Sequence, residues 1–134
     1  MAGDAASERK RSSAWPLFVA AGLAVGEVGV VLALYPVAVA GLLLFVGSVA
    51  GIVAEAGYVE TPWGLLAGLG VVLLAFGAWV VSTQVPPTPA GWWAALGSTD
   101  AIVLRGFSIV IAGAVAVLAA GAGRLAAPSG PVGA

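Results

Sequence analysis

This chain has no cysteine and no histidine. That excludes disulfides, thiol catalysis, and ligation of zinc or haem iron by Cys or His within the chain. Charge is nearly as scarce. Five basic and six acidic side chains make up 8% of 134 residues, and Lys10 is the single lysine. A soluble domain carries about 25% charged residues, so these are too few to cover a water-facing surface. A net charge of −1 argues against nucleic-acid partners. Alternating ten-residue segments, the mark of a spanning β-barrel, are absent as well. What fills the chain instead is apolar: 61% hydrophobic residues and a mean hydropathy of +1.11. The class is an integral membrane protein with the lipid bilayer as its solvent.

The apolar residues fall into four runs, at 15–34, 37–54, 63–81 and 101–122. Each has about the length a helix needs to cross ~30 Å of hydrocarbon at 1.5 Å per residue. The expected fold is all-α, a four-helix membrane bundle with two short hairpins. Residues 1–14 read as a disordered cytoplasmic tail, and residues 125–134 as a flexible end. Tyr35-Pro36 is expected to end the first helix, leaving a very short link to the second. Pro62 suits the first turn of helix three, and Asp100 suits the N-cap of helix four. The longest link, 82–100, contains "VPPTP", expected to be extended and stiff. Trp92 and Trp93 follow it, placed to dip into the membrane interface.

Arg9, Lys10, Arg11 and Arg124 fall on one side of a four-crossing chain, while the links at 35–36 and 82–100 have no Lys or Arg. By the positive-inside rule both termini are cytoplasmic in a multi-pass protein of the cell membrane. Trp15, Tyr58 and Trp63 then mark the inner interface, and Tyr35, Trp79, Trp92 and Trp93 the outer one. The run after "RKR" is too long for a cleavable signal peptide and contains a glutamate, which disfavours cleavage.

Few polar side chains lie inside the runs: Glu27, Ser48, Arg105 and Ser108. At 1.5 Å per residue, Glu27 and Ser108 both lie ~4–5 Å to the outer side of mid-membrane, with Arg105 one turn further out. Arg105 and Ser108 are three apart, hence on one helix face. An ionisable group at this depth costs ~2.5–3.5 kcal/mol and so has a partner or a task. The sharp expectation is that Glu27 points into the bundle and bonds Ser108, Arg105 or both. The plainer one is that Arg105 snorkels to the outer surface and Glu27 is a structural hydrogen-bonding group. Gly22, Gly26, Gly29 and Ala33 form one stripe on helix one, suited to close helix approach. Glu27 lies ~130° from that stripe, facing either another helix of the chain or a different protein. Small residues at four-residue spacing recur at Gly22/Gly26, Gly47/Gly51, Gly64/Gly68 and along Ala112, Ala116 and Ala120. "GLG" at 68–70 lies inside a span and is no phosphate loop. Nucleophile–base pairs, carboxylate dyads and metal clusters are not evident, so no cofactor and no enzymatic activity are expected.

The segment "SAWPLFVAAGLAVGEVGVVLALYPVAVAGLLLFVGSVAGIVAEAGYVETPW" resembles small membrane proteins of haloarchaea called cox cluster proteins, encoded beside cytochrome oxidase genes. The residues that carry the likeness are Trp15-Pro16-Leu17-Phe18, Gly26-Glu27-Val28-Gly29, Tyr35-Pro36-Val37, Gly47-Ser48-Val49-Ala50-Gly51-Ile52 and Thr61-Pro62-Trp63. It covers about the first half of the chain. The resemblance implies an accessory subunit or assembly factor near a haem–copper terminal oxidase, with oxidase subunits as partners, and it supplies no functional residues. The small-residue stripes also allow a homo-oligomer, though spacings of this kind arise by chance in a chain with 20 glycines. The alternative is a small proton-coupled transporter using Glu27, similar to small multidrug resistance transporters. That family places more polar and aromatic groups around its glutamate than this chain does.

Overall fold

The computed structural model describes residues 13–126. The expected N-terminal tail, with Arg9, Lys10 and Arg11, lies outside them except for Ser13 and Ala14, as does the expected C-terminal tail beyond Ala126. Five helices follow in order: α1 (Trp15–Val31), α2 (Tyr35–Glu55), α3 (Trp63–Ser82), α4 (Pro89–Ala95) and α5 (Ala101–Ala126). No strand occurs among the described residues. The protein is an all-helical membrane bundle of four long helices and one short one. Of the long helices, α2, α3 and α5 are long and apolar enough to cross a membrane. With 17 residues α1 is shorter; its rise of about 26 Å is at the low end for a crossing helix.

The first boundary differs from the expected one. Helix α1 stops at Val31 rather than 34, and Tyr35-Pro36 opens α2 instead of closing α1. Proline belongs there because the first turn of a helix needs no N–H donor from it. The chain reverses over residues 32–34. Ala33 takes the left-handed conformation at φ 57°. The Ala33 N–H donates to Val30 O at 3.2 Å, and the Leu34 N–H donates to Gly29 O at 2.7 Å. This is a Schellman motif, which ties up the helix's last carbonyls. Residue 33 therefore leaves the small-residue stripe. The end of α2 repeats the motif with Gly57 at φ 87°, where Gly57 N–H reaches Ala54 O and Tyr58 N–H reaches Val53 O.

The other starts follow local chemistry. The Asp100 carboxylate accepts from the N–H groups of Ile102 and Val103 at 2.8 and 3.1 Å, capping α5 as expected. Pro62 stands just before α3, at its N-cap. Helix α5 is 26 residues long and runs to Ala126, beyond the expected 122. The link after α3 is not simply extended. The Thr88 hydroxyl accepts from Gly91 N–H at 3.0 Å and starts α4, with Pro89 at its first position. Trp92 packs edge-on against Phe107 of α5, ring centroids 5.7 Å apart. That contact folds the link between α3 and α5 back onto the bundle.

The long helices pack as two close pairs, α1 with α2 and α3 with α5, joined chiefly where α2 meets α5. Apolar burial does little to drive helices together in lipid, so close backbone approach has to do it. Both seams are built on glycine. A methyl group on Gly41 would land on the backbone of Gly26, and one on Gly29 on that of Ala38. Across the second seam, a Cβ on Gly113 would lie 2.7 Å from Gly70 O and Leu74 N, and one on Gly77 2.7 Å from Val110 N. The glycines at these seams recur seven apart, at Gly22/Gly29, Gly70/Gly77 and Gly106/Gly113. A seven-residue spacing keeps a contact line on one side of two gently supercoiled helices. Ala112, Ala116 and Ala120 are all buried. Val46, Ala50, Leu66, Ala116 and Ala120 form the core where the pairs meet.

Two outcomes test this packing by thermal unfolding in detergent. Gly113→Ala is expected to cost about 1–3 kcal/mol through overpacking against backbone, whereas Gly68→Ala, with open space around it, costs nothing. Ala33→Gly is expected to stabilise by about 1 kcal/mol, because it removes the Cβ penalty of the left-handed turn.

Candidate functional site: a lateral cleft lined by Glu27 and Arg105

Helix α1 is fastened to α2 by its glycine face and has little contact with α5. That asymmetry opens a cleft whose floor is α2 and whose walls are α1 and α5. The cavity there has a volume of about 330 Å³. Gly22, Leu23, Gly26, Glu27 and Val30 line it from α1, and Arg105, Ser108 and Ile109 from α5. The floor carries Tyr35, Ala38, Leu42 and Phe45. All three side chains of the expected polar cluster therefore reach one cavity.

They do not join as expected. Glu27 does not point into the bundle: it is exposed, and so is Arg105. Glu27 lies off the glycine stripe that meets α2, so the close α1–α2 seam turns it sideways. Ser108 is 5% exposed, and its hydroxyl donates to Leu104 O at 2.9 Å. Neither an ion pair nor a hydrogen bond links Glu27 with Arg105 or Ser108. Ser48, buried on α2, likewise donates to Leu44 O, and Ser82 to Ala78 O at 2.8 Å. Short hydroxyls in a helix satisfy themselves on the preceding turn, which is the cheapest partner where water is absent. No buried side-chain N or O among the described residues lacks a partner. The two charged side chains of the cleft are thus the uncommitted polar groups in its walls.

The tryptophans fall at two levels. The Trp15 ring covers Gly51 near the end of α2, and Trp63 covers Gly123 near the end of α5. Both also border a second cavity, of about 300 Å³, with Gly47, Ser48 and Leu66. At the opposite end of the bundle, Trp79 stands exposed beside Phe76, Trp92 meets Phe107, and Trp93 is exposed. Gly22 and Gly26 serve the α1–α2 seam. Of the other four-residue pairs, Gly47, Gly64 and Gly68 meet no backbone; Gly51 is covered by the Trp15 ring and Gly64 by the Arg124 side chain. Among the described residues no three His, Cys, Asp or Glu gather to hold a metal ion.

Tyr35 belongs to the cleft and was read from sequence only as an interface marker. Its place at the first position of α2, directly after the tight turn, is what brings it beside residues one helix away. Because the Ser108 hydroxyl is committed to its own helix, Ser108→Ala is expected to leave stability unchanged or raised by up to about 0.5 kcal/mol. A loss of about 2 kcal/mol, read by thermal unfolding in detergent, would mean that Ser108 serves one of the charged groups after all.

No curated protein and no solved structure matches this chain. One family does, described only as a family of unknown function, and its match runs over residues 1–126. With that coverage, the chain belongs to the family DUF7541.

Proposed function

We propose that this is a non-catalytic membrane protein that works by lateral association, as an accessory subunit or assembly factor of a haem–copper terminal oxidase. The observation that supports lateral association is the cleft. The serine hydroxyls in the long helices are tied to their own carbonyls, while Glu27 and Arg105 face sideways, at a depth where a charge needs a partner. Such groups suit contact with a neighbouring helix better than chemistry on a solute. The oxidase enters through the resemblance of residues 13–63 to cox cluster proteins.

The arrangement in the cell membrane is part of the same proposal. Trp15 at the start of α1 and Arg124 at the end of α5 lie at one end of the bundle, Arg124 over Gly64 at the start of α3. With Arg9, Lys10 and Arg11 ahead of α1, that end is cytoplasmic. A tagged copy is expected to co-purify with oxidase subunits in mild detergent, and its deletion to lower assembled oxidase. Normal oxidase levels and activity in the deletion strain would end this reading.

The cavity favours one alternative, a proton-coupled transporter in which Glu27 exchanges protons for a lipophilic substrate. Its volume is at the small end of ligand pockets. Proton-driven uptake into vesicles that is unchanged by Glu27→Ala would exclude that role.

A further inference from the structure

The cleft holds one acid and one base, on opposite walls and about one helical turn apart in depth. We propose that its occupant is a second copy of this chain, related by a two-fold axis along the membrane normal. This rests on the lateral-association half of the reading above and not on the identity of the oxidase.

Viewed from the lipid, Glu27 stands on the α1 wall and Arg105 on the α5 wall of one cavity. Both are exposed, and neither is paired with another described residue. A two-fold rotation about an axis running down the cleft carries left to right and leaves depth unchanged. It therefore sets Glu27 of each copy against Arg105 of the other. An isologous interface requires a self-complementary patch, and two opposite charges flanking a central axis form one. Two ion pairs close at once, and no charge is left in hydrocarbon. A foreign helix would have to present an acid and a base at the same spacing to do as well. A single anion or cation would satisfy one wall and strand the other.

The apolar part agrees. Leu23 is 55% exposed beside Glu27. Across the axis it faces the partner's α5, where Ile109 lines the cavity. The partner's side chains would fill the empty volume, as close packing demands. Long side chains bridge the offset of about one turn between Glu27 and Arg105, arginine above all.

The test uses the full chain in mild detergent or lipid nanodiscs. The wild type is expected to be a dimer by mass. Glu27→Arg alone sets two arginines face to face, and Arg105→Glu alone two glutamates, so each variant is expected to lose the dimer. Co-expressed under different tags, the two variants are expected to pair with each other, because both contacts are then complementary between copies. A monomeric wild type would overturn the proposal. So would variants that stay apart when mixed while Glu27→Arg and Arg105→Glu combined in one chain behave as wild type, since that marks a pair within the chain. Should the charge reversals fail to insert, the absence of cysteine offers a second measurement. A Leu23→Cys copy and an Ile109→Cys copy, co-expressed and oxidised, are expected to form the mixed disulfide in excess over either self-pair. No such excess would also overturn the proposal. Oxidase that co-purifies with a strictly monomeric chain would sink the dimer alone, and a dimer whose loss leaves the oxidase intact would sink the oxidase role alone.

Discussion

Backbone-to-backbone contact at glycine is the constraint on which the bundle depends. Helices in lipid gain little from burying apolar side chains against one another, since the hydrocarbon outside is as apolar as the protein inside. They gain from atoms brought close enough for dispersion and weak polar contacts. Gly26 against Gly41 and Gly70 against Gly113 bring the helix axes together in just this way. A side chain at Gly41, Gly70 or Gly113 would meet the facing backbone and push its pair apart.

From this constraint the cleft follows. Helix α1 spends its glycine face on α2, and nothing comparable turns toward α5. A helix fastened on one side leaves its flank open, and the flank that opens here carries Glu27. The polar residues of the interior show the same economy. Ser48, Ser82 and Ser108 bond to carbonyls one turn back, so the bundle needs no buried network to satisfy them. The side chains that cannot be satisfied in this way, Glu27 and Arg105, are the ones left at the surface.

Run lengths alone made much of this legible. Four apolar runs became the four long helices, Asp100 capped α5, and the small face of α1 turned to its neighbour. The misreadings have physical causes. Tyr35-Pro36 looks like a terminator because proline stops helices, yet it opens one when the preceding turn already supplies the stop. Ala33 gave no sign of that turn, because left-handed turns are usually marked by glycine, as at Gly57. Helix α4 was hidden among prolines, although Thr88 followed by Pro89 is a capping sequence. The second seam was missed for want of the right ruler. Spacings of four are common by chance in a glycine-rich chain, while the spacing of seven at Gly70/Gly77 and Gly106/Gly113 is the one the packing uses. Depth arithmetic set Glu27 and Ser108 at one level with Arg105 just above, and the structure opens a cavity that all three line. Pairing depends on which way each side chain turns, and depth carries no information about that.

The reversal at residues 32–34 has a bearing on biogenesis. Its amide groups are satisfied by the turn itself, and its side chains are Leu32, Ala33 and Leu34, so the bend can travel through oil without dragging water along. Three residues are too few to let the first helix settle while the second is still emerging from the ribosome. Residues 15–55 should therefore leave the insertion machinery as one folded hairpin, with the shortest helix delivered already clasped to its neighbour.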